Sequence, residues 1–297
     1  NFMRYSQEIT LEVRNEEPDK KRRFTPRSLF KHPLRRKSMH AAIVLPARLA
    51  STRLPNKLLL DRSGKTVLEH TLDRARTAQA ASHGLISRIL VAADDPQLIA
   101  AAQRAGIDAV MTRPDHASGT DRIAEAAEKL SEDIIINLQA DEPEIDPANV
   151  VLVARLLAES TGAPVSTLAV PIYENAQFLK TNVVKVIVAS NGNALYFSRA
   201  PIPHVRDTEV APVWVLNGKA VYGYHHLGLY AYRRAFLLGY KNLPASLLEK
   251  LEKLEQLRAL EAGFAIKVGI VQSNPPGIDT PEDYEAFLAR IKNRVVI

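Results

Sequence analysis

The chain has 297 residues, enough for one large or two modest domains, and its apolar fraction of 46% is that of an ordinary globular protein. It has no cysteine, which excludes disulfides and thiolate metal sites, and no apolar run approaches the ~20 residues that a membrane span needs. The net charge of +6 misleads: the first 38 residues hold 11 of the 39 basic and 5 of the 33 acidic residues, and the remaining 28 of each sign cancel, so charge excludes a general nucleic-acid binder for the body of the chain.

Residues 1–38 carry the basic runs Lys20-Lys-Arg-Arg23 and Arg35-Arg-Lys37 and no apolar periodicity, which predicts a mobile extension. They hold no apolar stretch of the signal-peptide kind, and Met39, directly before the first strand, is a candidate start. From residue 40 strand-like and helix-like segments alternate. Strands are predicted at 41–45, 86–93, 109–112, 134–138 and 165–170, and helices near 66–80, 96–105, 120–131 and 147–159. This rhythm predicts a largely parallel sheet covered on both faces. Past residue 170 it changes: strands at 183–188, 194–198 and 223–232 with few helices between them predict an antiparallel insertion. A helix at 247–262, a strand at 265–271 and a helix from about 281 complete one continuous domain over 39–297.

The loop after the first strand, Leu45-Pro-Ala-Arg-Leu-Ala-Ser-Thr-Arg-Leu-Pro-Asn-Lys57, holds Arg48, Arg53 and Lys57 with Ser51 and Thr52 among them. Loops at the C-terminal ends of strands bind ligands in open α/β sheets, and guanidinium forks and an ammonium suit a polyphosphate. A solvated basic turn explains the same residues equally well. Ser63-Gly-Lys-Thr66 is no P-loop, because Leu59 stands where that motif needs glycine. The strand at 134–138 runs into Gln139, Asp141 and Glu142, carboxylates of the kind that hold a hard cation beside phosphates, or else an acidic turn closed by Pro143. Asp279 is a second candidate ligand, lying just outside the cap formed by Thr280, Pro281 and Asp283.

Three further segments have two readings each. The helix start near Ser118 and Gly119 offers free N–H groups to a base or phosphate, although capping alone accounts for it nearly as well. Tyr222, Tyr224, His226, Gly228, Tyr230 and Tyr232 share one face of a strand, as a sugar pocket or as a packed sheet face. Ser246 and Glu249 open the helix at 247–262, with Leu247, Leu248, Leu251 and Leu254 as its apolar stripe. Glu255 projects onto that stripe, which makes Glu255 and Gln256 candidate polyol ligands, against a solvated shoulder.

Together these motifs resemble the 3-deoxy-manno-octulosonate cytidylyltransferase (CMP-Kdo synthetase) family over about 40–290. The resemblance rests on 46–57, on Met111-Thr-Arg-Pro-Asp-His-Ala-Ser-Gly-Thr120, on 139–143, on Ala194-Leu-Tyr-Phe-Ser-Arg-Ala-Pro-Ile-Pro203 with Arg206-Asp207, on His226-Leu-Gly-Leu-Tyr230, on Leu254-Glu-Gln-Leu-Arg258 and on Asp279-Thr-Pro-Glu-Asp283. It implies a Rossmann-like, GT-A-like nucleotidyltransferase fold, a three-layer αβα sandwich with a mostly parallel sheet, and a cytoplasmic homodimer using Mg2+. The implied reaction joins CTP and Kdo into CMP-Kdo and pyrophosphate, for lipopolysaccharide biosynthesis. The implied nucleotide contacts are Ala47, Arg48, Ser51, Arg53, Lys57, Ser118, Gly119 and Gln139. Arg48, Lys57, Asp141 and Asp279 are implied to act in catalysis, the two aspartates as Mg2+ ligands. Arg199, Arg206, His226, Tyr230, Glu255 and Gln256 are implied to line the sugar-acid site.

The chain departs from that family's pattern at several points. Asn56 replaces a glycine, Ala140 the glycine of Gln-Gly-Asp-Glu-Pro, His225 an arginine, and Leu247 a proline, while Asn274-Pro-Pro-Gly277 replaces a Pro-Gly-Thr-Gly loop. The changes at 140 and 275–276 bear on the two aspartates, and His225 bears on the choice of sugar. A cytidylyltransferase for 8-amino-Kdo or sialic acid, or a non-catalytic nucleotide-sugar-binding protein, are the alternatives at this stage.

Overall fold

The computed structural model describes residues 39–116, 118–206 and 212–295. Residues 38–297 form one unit, and the expectation of a mobile basic extension over 1–38 lies outside the described residues. In chain order the elements are β1 (Ala41–Ala47), α1 (Val67–Ala81), β2 (Ile86–Ala93), α2 (Pro96–Arg104), β3 (Asp108–Met111), α3 (Gly119–Ala127), β4 (Ile134–Asn137), α4 (Pro147–Glu159) and β5 (Val165–Ile172). They continue with α5 (Asn175–Phe178), β6 (Lys185–Val188), β7 (Ala194–Ser198), β8 (Trp214–Leu216), β9 (Lys219–Val221), β10 (Gly223–Arg233), α6 (Arg234–Gly239), α7 (Leu247–Glu252), α8 (Gln256–Glu261), β11 (Ile266–Ile270) and α9 (Pro281–Val295).

The main sheet runs β11-β5-β10-β4-β1-β2-β3, with β6 and β7 attached to β10. β1 pairs in parallel with β2 and β4, β2 with β3, and β5 with β11. The strands read as unbroken apolar runs because both faces are covered. Within β1, Ala41, Ile43, Leu45 and Ala47 pack with α1, α2, α4 and α9, while Ala42 and Val44 pack with α3, α6 and α8. Each parallel strand therefore delivers its C-terminal loop to the same edge of the sheet, where loop 48–57, the start of α3 and residues 139–142 converge.

Local signals explain the helix starts. Thr66 and Glu69 form a complete capping box on α1, and Asp95 and Asp146 cap α2 and α4 with proline following. The antiparallel insertion expected past residue 170 is present, and its strand β10 lies in the centre of the sheet, between β4 and β5. One expectation needs correction. The helix expected over 247–262 is two short helices, broken where Lys253 turns left-handed at φ 54°. Arg199 holds the break, donating to the carbonyls of Glu252 and Lys253 at 2.7 and 3.4 Å, while the Glu252 carboxylate accepts from Ser198 Oγ and the Arg199 amide. The expected apolar stripe is accordingly split: Leu254 is buried and Leu248 packs against the core, while Leu247 and Leu251 are 62% and 71% exposed.

Candidate active site

The loop after β1 forms one wall of a cleft of about 340 Å3, lined by Arg48, Ser51, Arg53 and Lys57 and faced by Gly119, Gln139, Asp141 and Asp279. The Lys57 ammonium donates to Asp141, to Oδ1 of Asp279 at 2.9 Å and to the carbonyl of Ile278 at 3.0 Å. Arg53 reaches Oδ2 of Asp279 at 2.9 Å. Burial raises the Asp279 carboxyl, but Lys57 and Arg53 outweigh it and hold the group below its ordinary value. Burial lowers the Lys57 ammonium and the two aspartates more than restore it, so it stays charged. Arg48 turns toward α3 and donates to the carbonyl of His116 at 2.7 Å.

Asp141, after β4, and Asp279, before α9, are joined by backbone as well: the amide of Ile278 donates to the carbonyl of Asp141 at 2.9 Å. A Cβ at Gly277 would lie 3.3 Å from that carbonyl, so the glycine permits the approach. No cluster of three or more His, Asp or Glu side chains among the described residues forms a protein-only metal site. The donor set still fits Mg2+, which takes one or two carboxylates and completes its shell with phosphate oxygens and water. Beside Asp141, Glu142 has one buried carboxyl oxygen without a partner, and burial together with the neighbouring charge pushes its pKa up to about 8.

A second cleft of about 310 Å3 adjoins the first and shares Gly119 and Gln139 with it. His226, Gly228, Tyr230 and Tyr232 of β10 form one side, and Lys253, Glu255 and Gln256 at the α7–α8 break form the other. Gln256 is 8% exposed, and its Nε2 is buried without a hydrogen-bond partner. Such a donor is costly until a ligand oxygen meets it. Burial raises the Glu255 carboxyl, with Asp121 and Glu249 adding to the shift and the hydroxyls of Thr120 and Ser118 opposing it.

His226 is held in one tautomer. The Thr167 hydroxyl has a single proton, which serves the carbonyls of Leu229 and Leu227 at 2.9 and 3.2 Å, so Nε2 of His226, 3.1 Å away, is the donor to it. Burial, and secondarily His225, push the imidazole pKa down to about 3. His226 is therefore neutral, with Nδ1 left as an acceptor.

The structure thus brings Arg48, Ser51, Arg53, Lys57, Gly119, Gln139, Asp141 and Asp279 to one cleft and His226, Tyr230, Glu255 and Gln256 to the other. It does not bring in all the residues expected there. Ala47 is fully buried at the end of β1, and Ser118 is the N-cap of α3, accepting from the Asp121 amide at 3.1 Å. Arg199 spends its guanidinium on the carbonyls of Thr181, Glu252 and Lys253, and neither it nor Arg206 lines the sugar-side cleft. The expected face on β10 holds from His226 to Tyr232, while Tyr222 and Tyr224 pack instead against Phe178 and Trp214. Lys253 went unseen in the sequence because a left-handed lysine between two helices leaves no compositional signal. Thr120, at the end of the 111–120 motif, also lines the sugar-side cleft.

The departures are absorbed locally. Asn56 has φ 54°, a left-handed position that asparagine tolerates in place of glycine. Ala140 has no positive φ, and its carbonyl accepts from the Thr71 hydroxyl at 2.9 Å. His225 pairs with Lys185 across β10 and β6 and does not line the sugar-side cleft.

A cationic loop at the C-terminal edge of a parallel sheet, facing two aspartates and opening into a polar second cleft, defines a nucleotidyltransferase. The sequence profile described as Cytidylyltransferase matches residues 41–268. A 3-deoxy-manno-octulosonate cytidylyltransferase of Rhodopirellula baltica is 46% identical over 86% of this chain and all of its own length, and one from Syntrophotalea carbinolica is 45% identical over 86% and 99%. A solved CMP:2-keto-3-deoxy-manno-octonic acid synthetase in complex with CTP superposes with a TM-score of 0.77 at 41% identity, over 86% of this chain and 99% of that one. The chain belongs to the cytidylyltransferase family.

Proposed function

We infer that this chain transfers the cytidylyl group of CTP to 3-deoxy-D-manno-octulosonate (Kdo), giving CMP-Kdo and pyrophosphate. The observation that carries the reading is the junction of the two clefts at Gly119 and Gln139: a phosphate-type wall and a polyol-type wall face one shared opening. The names of the relatives, similar over nearly their whole length, support the substrate pair.

In this reading the anomeric hydroxyl oxygen of Kdo bonds to the α-phosphorus, the bond from that phosphorus to the bridging oxygen of pyrophosphate breaks, and the hydroxyl proton passes to water. Arg48, Arg53 and Lys57 neutralise the phosphates and the charge that gathers on the leaving group, so that positioning and electrostatics do most of the work. Asp141 and Asp279 would hold Mg2+, whose chemistry is to screen phosphate oxygens and acidify a bound hydroxyl. Gln256 donates its unpartnered N–H to a sugar oxygen, and Nδ1 of His226 accepts from a sugar hydroxyl. Glu255 and Tyr230 complete the polyol contacts. Arg199 already serves three carbonyls, so the reading does not assign it the sugar carboxylate.

We also place the chain in the cytoplasm, where CTP is made, and as a homodimer. No helix among the described residues is long and apolar enough to cross a membrane. Leu195 on β7 and Val215 on β8, 62% and 70% exposed, are apolar side chains that a partner would cover. Mass spectrometry of the product from CTP and Kdo tests the reaction: a CMP-Kdo adduct supports it, and unreacted CTP with pure, folded protein contradicts it.

A further inference from the structure

Arg122 of α3 is 0% exposed, a charge sealed beneath the nucleotide cleft. Its Nη1 donates to the Thr112 hydroxyl at 2.6 Å, its Nη2 meets Oδ2 of Asp94 at 3.2 Å, and its Nε has no partner. A buried ion pair of this kind gains little stability over apolar packing, so its presence calls for another account. The second oxygen of Asp94 provides one. Oδ1 of Asp94 accepts from the amide of Leu49 at 3.0 Å, while the amide of Asp94 donates to the carbonyl of Ala47 at 3.3 Å. A single residue at the end of β2 therefore grips both neighbours of Arg48. The far end of the Arg48 side chain is fixed by the same helix region, through the carbonyl of His116, whose ring is bonded to Glu125 of α3.

We propose that Asp94 and Arg122 are positioning residues for CTP: they clamp the backbone on either side of Arg48 so that its guanidinium is held at the wall of the nucleotide cleft before the nucleotide arrives. The proposal rests on the reading of Arg48 as a phosphate contact. Arg122 orients the Asp94 carboxylate, Asp94 holds residues 47 and 49, and neither touches substrate. Preorganised charge of this kind binds without first being ordered.

The test is CTP affinity by calorimetry in paired backgrounds. Asp94→Ala with Arg122→Met removes both charges together, so neither is left unpaired in the interior. It should weaken CTP binding about tenfold in the native background and less than about twofold when Arg48→Ala is already present, because positions that act through one another are not additive. Asp94→Asn with Arg122→Met keeps an acceptor for the Leu49 amide and should return affinity to within about threefold of the native protein. If the double variant does not fold, Asp94→Asn alone in the two backgrounds makes the same comparison, with a loss of about threefold that disappears beside Arg48→Ala. An equal loss in both backgrounds would assign the pair to scaffolding and overturn the proposal. If Arg48→Ala itself leaves CTP affinity unchanged, the phosphate reading of Arg48 fails first, and the proposal falls with it.

Discussion

The ammonium of Lys57 donates to Oδ1 of Asp279 at 2.9 Å across 222 positions of sequence, and the same ammonium donates to Asp141. One cation on the loop after β1 thus gathers two carboxylates, one from the end of β4 and one from the start of α9. A site that draws carboxylates from two segments far apart in sequence around a cationic loop suits a bound polyphosphate with its metal.

Asp141→Asn and Asp279→Asn should each lower turnover by at least about a hundredfold, the scale on which losing one stabiliser of developing charge is felt. The fold should persist in both, since the backbone link from Ile278 to Asp141 does not depend on either carboxylate. Steady-state turnover with Mg2+ titrated, beside far-ultraviolet circular dichroism, checks this. Native turnover in either variant at ordinary Mg2+ rules that residue out as a ligand.

Gln256→Leu replaces a buried, unpartnered N–H by an apolar group of similar size. Stability should stay level or rise slightly, while KM for Kdo rises roughly twofold to tenfold, from the loss of a neutral ligand hydrogen bond worth about 0.5–1.5 kcal/mol. Kinetics with Kdo varied and a thermal melt separate the two effects. A drop in stability with KM unchanged would mean that Gln256 serves the core.

At Asn56 the backbone is left-handed, so Asn56→Gly should leave stability the same or raise it, whereas Asn56→Val should cost about 1–2 kcal/mol. Denaturant unfolding measures both. Equal stability of the two variants would remove the conformational argument for this departure from glycine.

His226 titrates near 6.5 when unfolded and near 3 when folded, so between these values the unfolded chain binds the extra proton. Its contribution to stability is complete above pH 6.5 and declines as pH falls, by up to about 1.4 kcal/mol per pH unit. His226→Gln should therefore gain on the native protein by about 2 kcal/mol between pH 7 and pH 5. Parallel stability–pH curves for the two proteins would show that His226 is not held neutral by the fold.

The parallel half of the fold was legible because its signals are local: apolar runs in β1, β2 and β4, and caps at Thr66, Asp95 and Asp146. The cationic wall of the cleft was legible because Arg48, Arg53 and Lys57 fall within ten positions. What was not legible depends on contacts distant in sequence. The central place of β10 is set by its pairing with β4 and β5. The break at Lys253 is held by Arg199, from the loop after β7, so helical periodicity over 247–262 had nothing to reveal it. Asp94 sits among ordinary helix-capping residues, and only the structure shows its carboxylate shared between Arg122 and the amide of Leu49.

Pyrophosphate release tests the central claim most directly, measured with CTP, ATP, GTP or UTP against Kdo, 8-amino-Kdo and sialic acid in the presence of Mg2+. The account predicts release with CTP and Kdo that exceeds every other pairing and depends on both substrates. Release that is as fast with another sugar acid or another nucleotide, or none with CTP and Kdo, would contradict it.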